Sequence, residues 1–334
     1  MEATSVKANA TFSGGVHPPD NKSLTAHKPT VAAAIPQRVI IPLSQHIGAP
    51  AKPLVVIGQE VKKGEKIGES GGFVSAPVHA TVSGKVAAIG SFPHILGMNT
   101  TSVVIESDGK DEWVAGLREN PAYDQLSPDE LRKLVQDAGI VGMGGATFPT
   151  HVKLSPPKEK PIDVVILNGA ECEPYLTSDH RLMLERPKEI IEGLKILMRI
   201  LNVSKGHIGI ESNKPDAIET LQKAAAGSPE VKVWPVKVKY PQGAEKMLIK
   251  AIADRTVPAG GLPMDCGVVV QNVGTAVAIY DAVRYGRPLI ERYVTVTGRG
   301  VKEPKNFLAR IGTPFSQLIA EAGGLTEDAA KVIA

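Results

Sequence analysis

The sequence predicts an α/β protein: a largely parallel sheet covered by helices, preceded by a small β barrel or sandwich and followed by a strand-pair module. Three observations carry that prediction. Between Arg38 and about Asp108, short β-branched runs such as RVIIPL, ATVSGKVAAIG and TSVVIES are cut by glycine, the pattern of short strands joined by tight turns. Between Ile162 and Arg284, strand and helix patterns alternate, which builds parallel sheets with helices on their faces. Beyond Pro288 the chain returns to strand with ERYVTVTG and NFLARIG, then to a short helix. At 334 residues there is room for two or three domains with separate cores.

In chain order, residues 1–35 mix Gly, Pro, Lys and small polar residues around GGVHPPDNKSLTAHKP, a composition with little to bury, and predict an extended arm. Within residues 36–112, VKKGEKIGE followed by SAPVHATVSGKVAAI resembles the barrel-sandwich hybrid of biotinyl and lipoyl carrier domains. A carrier needs a lysine at the tip of its hairpin. Here the tip falls near Phe73, in GGFVS, where no lysine stands, so a structural or docking domain is expected.

Residues 113–287 hold the alternating region. A helix opens at Ser127, with Pro128 in the first turn and Glu130 three residues after the cap. Leu131, Leu134, Val135 and Ala138 make its apolar stripe, and Gly139 ends it. Strands are predicted over 162–167, 207–210, 231–238 and 268–271, with helices over 187–201, 215–226, 244–253 and 275–284. Residues 288–334 resemble the start of a β-grasp module of the SLBB kind, and the chain reads as truncated before that module closes.

Composition narrows the function. The net charge of +3, from 38 Lys and Arg against 35 Asp and Glu, is too small on this chain to drive nucleic-acid binding. No run of about 18 uncharged apolar residues occurs and no apolar signal-peptide core opens the sequence. The expected location is cytoplasmic, with no transmembrane segment of its own. Cys172 and Cys266 cannot make a disulfide scaffold or supply the four thiolates of an iron–sulfur cluster. The histidines are scattered, none at helical zinc-binding spacing, so metal catalysis is not expected.

Four segments put glycine or polar residues at predicted strand ends or helix starts, where ligands of parallel sheets sit. The first, Gly142-Met143-Gly144-Gly145-Ala146-Thr147-Phe148, runs on to Lys153; its glycines let backbone amides approach an anion and the lysine adds a charge. The second, Asn168-Gly169-Ala170-Glu171-Cys172-Glu173, offers acceptors for ring N–H groups or ribose hydroxyls. The third, Tyr240 to Lys246, and the fourth, Gln271 to Thr275, open helices. Taken singly, each also reads as a tight turn, a solvated loop or a cap.

Together and in this order they resemble the flavin-binding core of the NADH-oxidising subunit of respiratory complex I, with its motifs GRGGAGFPTGLKW, NADESEPG, YICGEET and NNVETL. The chain resembles the RnfC subunit of the Rnf complex, a ferredoxin:NAD oxidoreductase, more closely still. GGVHPP, IPLSQHIGAPA, FVSAPVHATVSG, GGATFPTHVKL, NGAECEPYLTSDHRLM, YPQGAEK and GLPMDCGVVVQNVGTA carry that resemblance over nearly the whole chain.

The resemblance implies a Rossmann-like domain holding FMN non-covalently, with NAD(H) stacked above it. It implies that Gly142, Gly144, Gly145 and Lys153 cradle the flavin, that Asn168 and Glu171 contact its ring or ribityl chain, and that Asn272 and Thr275 meet its phosphate. Phe148, Glu173 and Glu245 match positions facing the nicotinamide nucleotide. The sequence departs from the complex I motifs at Met143, which replaces an arginine, at Ala170, which replaces an aspartate, and at Ala244, which replaces a glutamate. A second stacking aromatic would fall near Pro156. The charge lost at Met143 and Ala244 weakens the expected nucleotide contacts relative to the flavin contacts, and the missing aromatic implies a loosely held adenine.

The family also implies two 4Fe-4S clusters in a C-terminal region absent from this sequence, other Rnf subunits as partners at the inner face of the cell membrane, and ferredoxin indirectly. Ion translocation would belong to the full complex. Two other readings stand beside this one: a cobalamin reductase of the bacterial microcompartment type, and a docking protein whose flavin site has decayed. Cys172 reads as packing rather than as a redox thiol.

Overall fold

A computed structural model describes residue 8 and residues 10–334. The remainder of the predicted arm, residues 1–7 and 9, lies outside the described residues. Ala10 bridges Val236 and Val16 bridges Tyr240, so the arm begins against the alternating region. It ends in a two-residue strand, β1 (Val31–Ala32). The expectation that this segment has little to bury needs correction: Phe12, Lys22, Thr25 and Ala26 are all buried. Composition missed this because four buried contacts need only four well-placed side chains.

The β-rich region comprises β2 (Arg38–Pro42), β3 (Lys52–Pro53), β4 (Glu60–Val61), β5 (Lys66–Glu69), β6 (Val78–His79), β7 (Gly84–Pro93) and β8 (Asn99–Ser107). They form two antiparallel sheets, β2-β8-β7-β4 and β3-β5-β6. Alternation sends Val39 and Ile41 of β2 inward, where they meet Ile67, Val82, Val86, Val103 and Ile105 in one core. The hairpin tip near Phe73 rests on the next domain: the Phe73 carbonyl lies 3.1 Å from His151 Nε2, and the two rings meet edge to face.

The alternating region holds α1 (Pro128–Asp137), α2 (Thr150–Lys153), β9 (Val164–Gly169), α3 (Ser178–Glu185), α4 (Pro187–Leu201), β10 (Gly206–Glu211), α5 (Pro215–Ala224), β11 (Val231–Val236), α6 (Glu245–Ala253), β12 (Val268–Asn272) and α7 (Val273–Tyr285). The predicted capping box of α1 is present, Ser127 and Glu130 each accepting from the other's backbone N–H. Helix α3 went unread, because eight residues with a weak apolar stripe do not stand out from a loop.

All four strands of this sheet are parallel, in the order β11-β10-β9-β12. The chain therefore steps outward from β9 to β11, then crosses back to lay β12 on the other side of β9. That reversal opens a gap at the carboxyl ends of β9 and β12, the position where open parallel sheets bind ligands. Val165 and Leu167 of β9 face α4, α5 and α7, while Val164 and Ile166 face α6.

Helices α4 and α7 touch backbone to backbone: a Cβ built on Gly193 would stand 2.1 Å from the Ala276 carbonyl oxygen. The C-terminal module contains β13 (Glu291–Val296), β14 (Lys305–Arg310) and α8 (Phe315–Glu321). Strands β13 and β14 are antiparallel, and β1 from the arm adds a third strand, parallel to β14. Asn306 of β14 is fully buried, within 3.1 Å of Thr177 Oγ1, which in turn lies 2.7 Å from Thr25 Oγ1.

Gly193→Ala should lower the thermal unfolding midpoint by several degrees, since α4 and α7 must separate to admit a methyl group, at a cost of about 1–3 kcal/mol. A calorimetric midpoint equal to that of the parent chain would contradict this packing.

Candidate functional site

At the reversal point lies a crevice of about 210 Å³, lined by the loop from Gly142 to Phe148, by Lys153 and Asn168, by Gly243 to Glu245 and by Val270 to Asn272. The four separated segments thus converge at one place.

The glycine loop closes on itself through Gly142 N–H donating to the Phe148 carbonyl at 2.9 Å. It is held from behind at Met143, whose N–H donates to Thr275 Oγ1 at 3.0 Å and whose carbonyl accepts from Arg292 Nη2 at 3.0 Å. Gly144 packs onto Asn272: a Cβ there would be 3.0 Å from that residue's Cβ and 3.1 Å from its Nδ2. Gly145 has φ +134°, which L side chains rarely adopt, and open space beside it. Among the described residues, no acceptor meets the N–H groups of Gly144, Gly145 or Ala146.

Asn272 forms the floor. Its Oδ1 accepts from Gly274 N–H at 2.7 Å, capping α7, while its Nδ2 donates to Asp179 Oδ2 at 2.7 Å. The positive end of the α7 dipole therefore points at the crevice. Asn168, at the end of β9, donates from Nδ2 to the Gly243 carbonyl at 2.7 Å and accepts from Ala170 N–H at 3.1 Å. It joins the second segment to the third. Lys153 Nζ lies 2.7 Å from Glu245 Oε1 and 2.6 Å from the Val270 carbonyl, so the two charged residues of the crevice neutralise each other.

Three predicted site residues lie outside the lining. Glu171 was expected against the flavin, but its carboxylate accepts from the N–H groups of Asp179 at 2.7 Å and His180 at 3.3 Å, at the start of α3. The reason is local: with φ +48° at Glu171, the chain turns its side chain back toward that helix end. Thr275 stands behind the glycine loop and holds it. Glu173 is exposed; its backbone carbonyl accepts from Lys22 Nζ at 2.9 Å, and its carboxylate pushes the Tyr240 phenol up. Cys172 Sγ accepts from Gly243 N–H at 3.2 Å, and burial pushes its thiol up, away from the reactive thiolate.

Gln271, named in the fourth segment but given no role there, lines the crevice; it is buried, and among the described residues its Nε2 has no partner. Two further residues escaped the sequence reading for want of a local signal. Asp179 and Arg292 carried none, because one lies in the unread helix and the other in the C-terminal module. Burial first, then the neighbouring Glu171 carboxylate, raises the Asp179 carboxyl to about 7. Burial pulls the Arg292 guanidinium down, and Asp179 opposes that pull.

A raised carboxyl favours the folded chain most when it is protonated, below about pH 4, and that advantage is lost as pH rises through about 7. Asp179→Asn should therefore gain stability over the parent chain on going from pH 5 to pH 8. Urea unfolding at the two values checks the sign; a constant difference would refute it.

Comparison with known proteins adds three domain matches. Residues 10–110 match the RnfC barrel sandwich hybrid domain, residues 135–281 the Nuo51 FMN-binding domain and residues 293–333 the SLBB domain. The RnfC protein of the proton-translocating ferredoxin:NAD(+) oxidoreductase complex of Clostridium ljungdahlii is 55% identical over 322 residues, covering 96% of this chain and 70% of that protein. Its Na(+)-translocating counterpart from Acetobacterium woodii is 50% identical, covering 97% of this chain and 73% of that protein. The corresponding protein of the ion-translocating oxidoreductase complex of Rhodobacter capsulatus is 45% identical, and this chain spans 62% of its length. Among solved structures, an NAD+-reducing [NiFe]-hydrogenase in the H2-reduced state shares the fold over 64% of this chain and 45% of that one, with TM-score 0.52 and 21% identity.

Proposed function

The chain belongs to the RnfC family of the ion-translocating ferredoxin:NAD(+) oxidoreductase complexes, and from that membership we propose that it holds FMN non-covalently in the crevice between β9 and β12 and serves there as the acceptor of hydride from NADH. The observation that carries this reading is the convergence of the glycine loop, Asn168, Glu245 and Asn272 on one crevice at the sheet's reversal point. The residues fit the group. Gly144 and Gly145 leave a wall without side chains, and among the described residues the N–H groups of Gly144, Gly145 and Ala146 and the buried Gln271 Nε2 have no acceptor. The crevice and its N–H groups also argue against a docking protein with a decayed site.

Bound FMN supplies two-electron hydride acceptance and one-electron release. The protein's share is placement. The glycine loop presents its backbone to the ring, and the α7 N-terminus with Asn272 faces the phosphoryl end. Lys153, held by Glu245 and the Val270 carbonyl at the crevice wall, is the charged partner of the flavin. Phe148 offers an aromatic face to the nicotinamide, with Glu245 and Glu173 toward the rest of the nucleotide. Glu171 and Thr275 act from behind, the first by capping α3 and the second by fixing the loop.

The same proposal extends to the assembly. In the complete complex, two 4Fe-4S clusters held by cysteines other than Cys172 and Cys266 would carry electrons on toward ferredoxin, a route the 334 residues here do not supply by themselves; the chain would sit peripherally on the inner membrane face among the other Rnf subunits, with ion translocation residing in the complex. No helix among the described residues is long and apolar enough to cross a membrane.

Adding FMN to the purified chain should quench flavin fluorescence with saturation and leave a yellow protein after gel filtration. Gly144→Val should weaken that uptake at least about tenfold, because its side chain meets Asn272 where the cofactor approaches. A parent chain that stays colourless would remove the flavin reading. Glu173→Ala should slow reduction by NADH more than it lowers flavin retention; equal effects would move Glu173 to the flavin side.

A further inference from the structure

We propose that Asp179 and Arg292 are positioning residues of the flavin crevice, gripping its floor and its glycine loop from behind, and that the charge on Asp179 couples flavin affinity to pH. The inference rests on the flavin reading above. Neither residue lines the crevice, so neither is a contact residue.

The floor is held through Asn272. Its carboxamide spends Oδ1 on Gly274 N–H and Nδ2 on Asp179 Oδ2, both at 2.7 Å, so the group cannot turn without losing two hydrogen bonds. Asp179 is itself fixed, since its N–H donates to Glu171 at the start of α3. The loop is held through Met143, pinned by Thr275 of α7 on one side and by Arg292 of β13 on the other. Gly144 follows Met143 and rests on Asn272, so the two grips meet at a single contact. The second grip comes from the C-terminal module, which thereby supports the crevice from behind without lining it.

The charged groups facing the Asp179 carboxyl are Glu171 from the loop after β9, Lys214 from the start of α5 and Arg292 from β13, with the neutral amide of Asn272 from α7. Protonated or ionised, the carboxyl keeps an oxygen that accepts from Asn272. What changes with pH is the negative charge behind the floor, which repels the phosphoryl group of FMN. An asparagine at this position keeps the acceptor and loses the charge; an alanine loses both.

The test uses the full chain and FMN, with dissociation constants from fluorescence quenching and amide hydrogen exchange of residues 142–148 in the ligand-free protein. Asp179→Ala and Arg292→Gln should each weaken FMN binding by about tenfold and speed exchange in the loop. Asp179→Asn and Arg292→Lys should restore most of both. The dissociation constant of the parent chain, divided by that of Asp179→Asn, should rise from pH 6 to pH 8; the ratio cancels the titration of FMN itself. Parent-like exchange and affinity in Asp179→Ala and Arg292→Gln would overturn the grip, and a ratio flat with pH would overturn the charge coupling. Faster loop exchange in variants of a chain that takes up no FMN would support the grip while defeating the flavin reading and the pH coupling.

Discussion

Asn272 must satisfy two demands at once. As the last residue of β12 it has to close the parallel sheet, and as the N-cap of α7 it has to meet an unpaired backbone donor. Its carboxamide does the second with one end and anchors to Asp179 with the other, which leaves its Cβ as the surface on which Gly144 rests. Moving this residue would disturb the helix cap, the floor of the crevice and the glycine loop together. The crevice is in that sense a consequence of how one strand is joined to one helix.

The polar groups behind that junction form a second layer. Glu171 caps α3, Asp179 holds Asn272, and fully buried Lys214 donates to the Ala170 carbonyl at 2.7 Å while standing 3.5 Å from the buried Glu211 carboxylate. Lys22 from the arm reaches the Glu173 carbonyl and, at 2.5 Å, that of Leu176. Buried charges are tolerated only when paired and hydrogen-bonded, and this layer spends nearly all of its charge on loop carbonyls and helix ends. The segment from Asn168 to Thr177 is thereby braced from below by α5 and from outside by the arm.

That bracing ties together parts of the chain far apart in sequence. Thr25, Thr177 and Asn306 bring the arm, the α/β domain and β14 into one buried cluster, and β1 completes the C-terminal sheet. The glycine loop, pinned by α7 and by Arg292, answers to both the central domain and the C-terminal module. The barrel-sandwich region makes its own contact at Phe73 and His151, in the same short helix as Lys153. Each module touches an element that shapes the crevice.

The amino-acid order alone determined the alternation of strands and helices, the capping box at Ser127, and the four segments with glycine or amide groups at strand ends. These follow from local rules: periodicity of apolar residues, cap chemistry and the backbone freedom of glycine. It also carried the family resemblance, because those segments keep their order and spacing. Tertiary structure decided which of their side chains face the crevice. Glu171 and Thr275 sit in the expected segments, yet the turn at one and the helix phase of the other direct them behind it. Asp179 and Arg292 were invisible because their role exists only where α3 and β13 pass behind the loop. A short acidic stretch and an arginine on a strand look like ordinary surface until the fold gives each a partner distant in the chain.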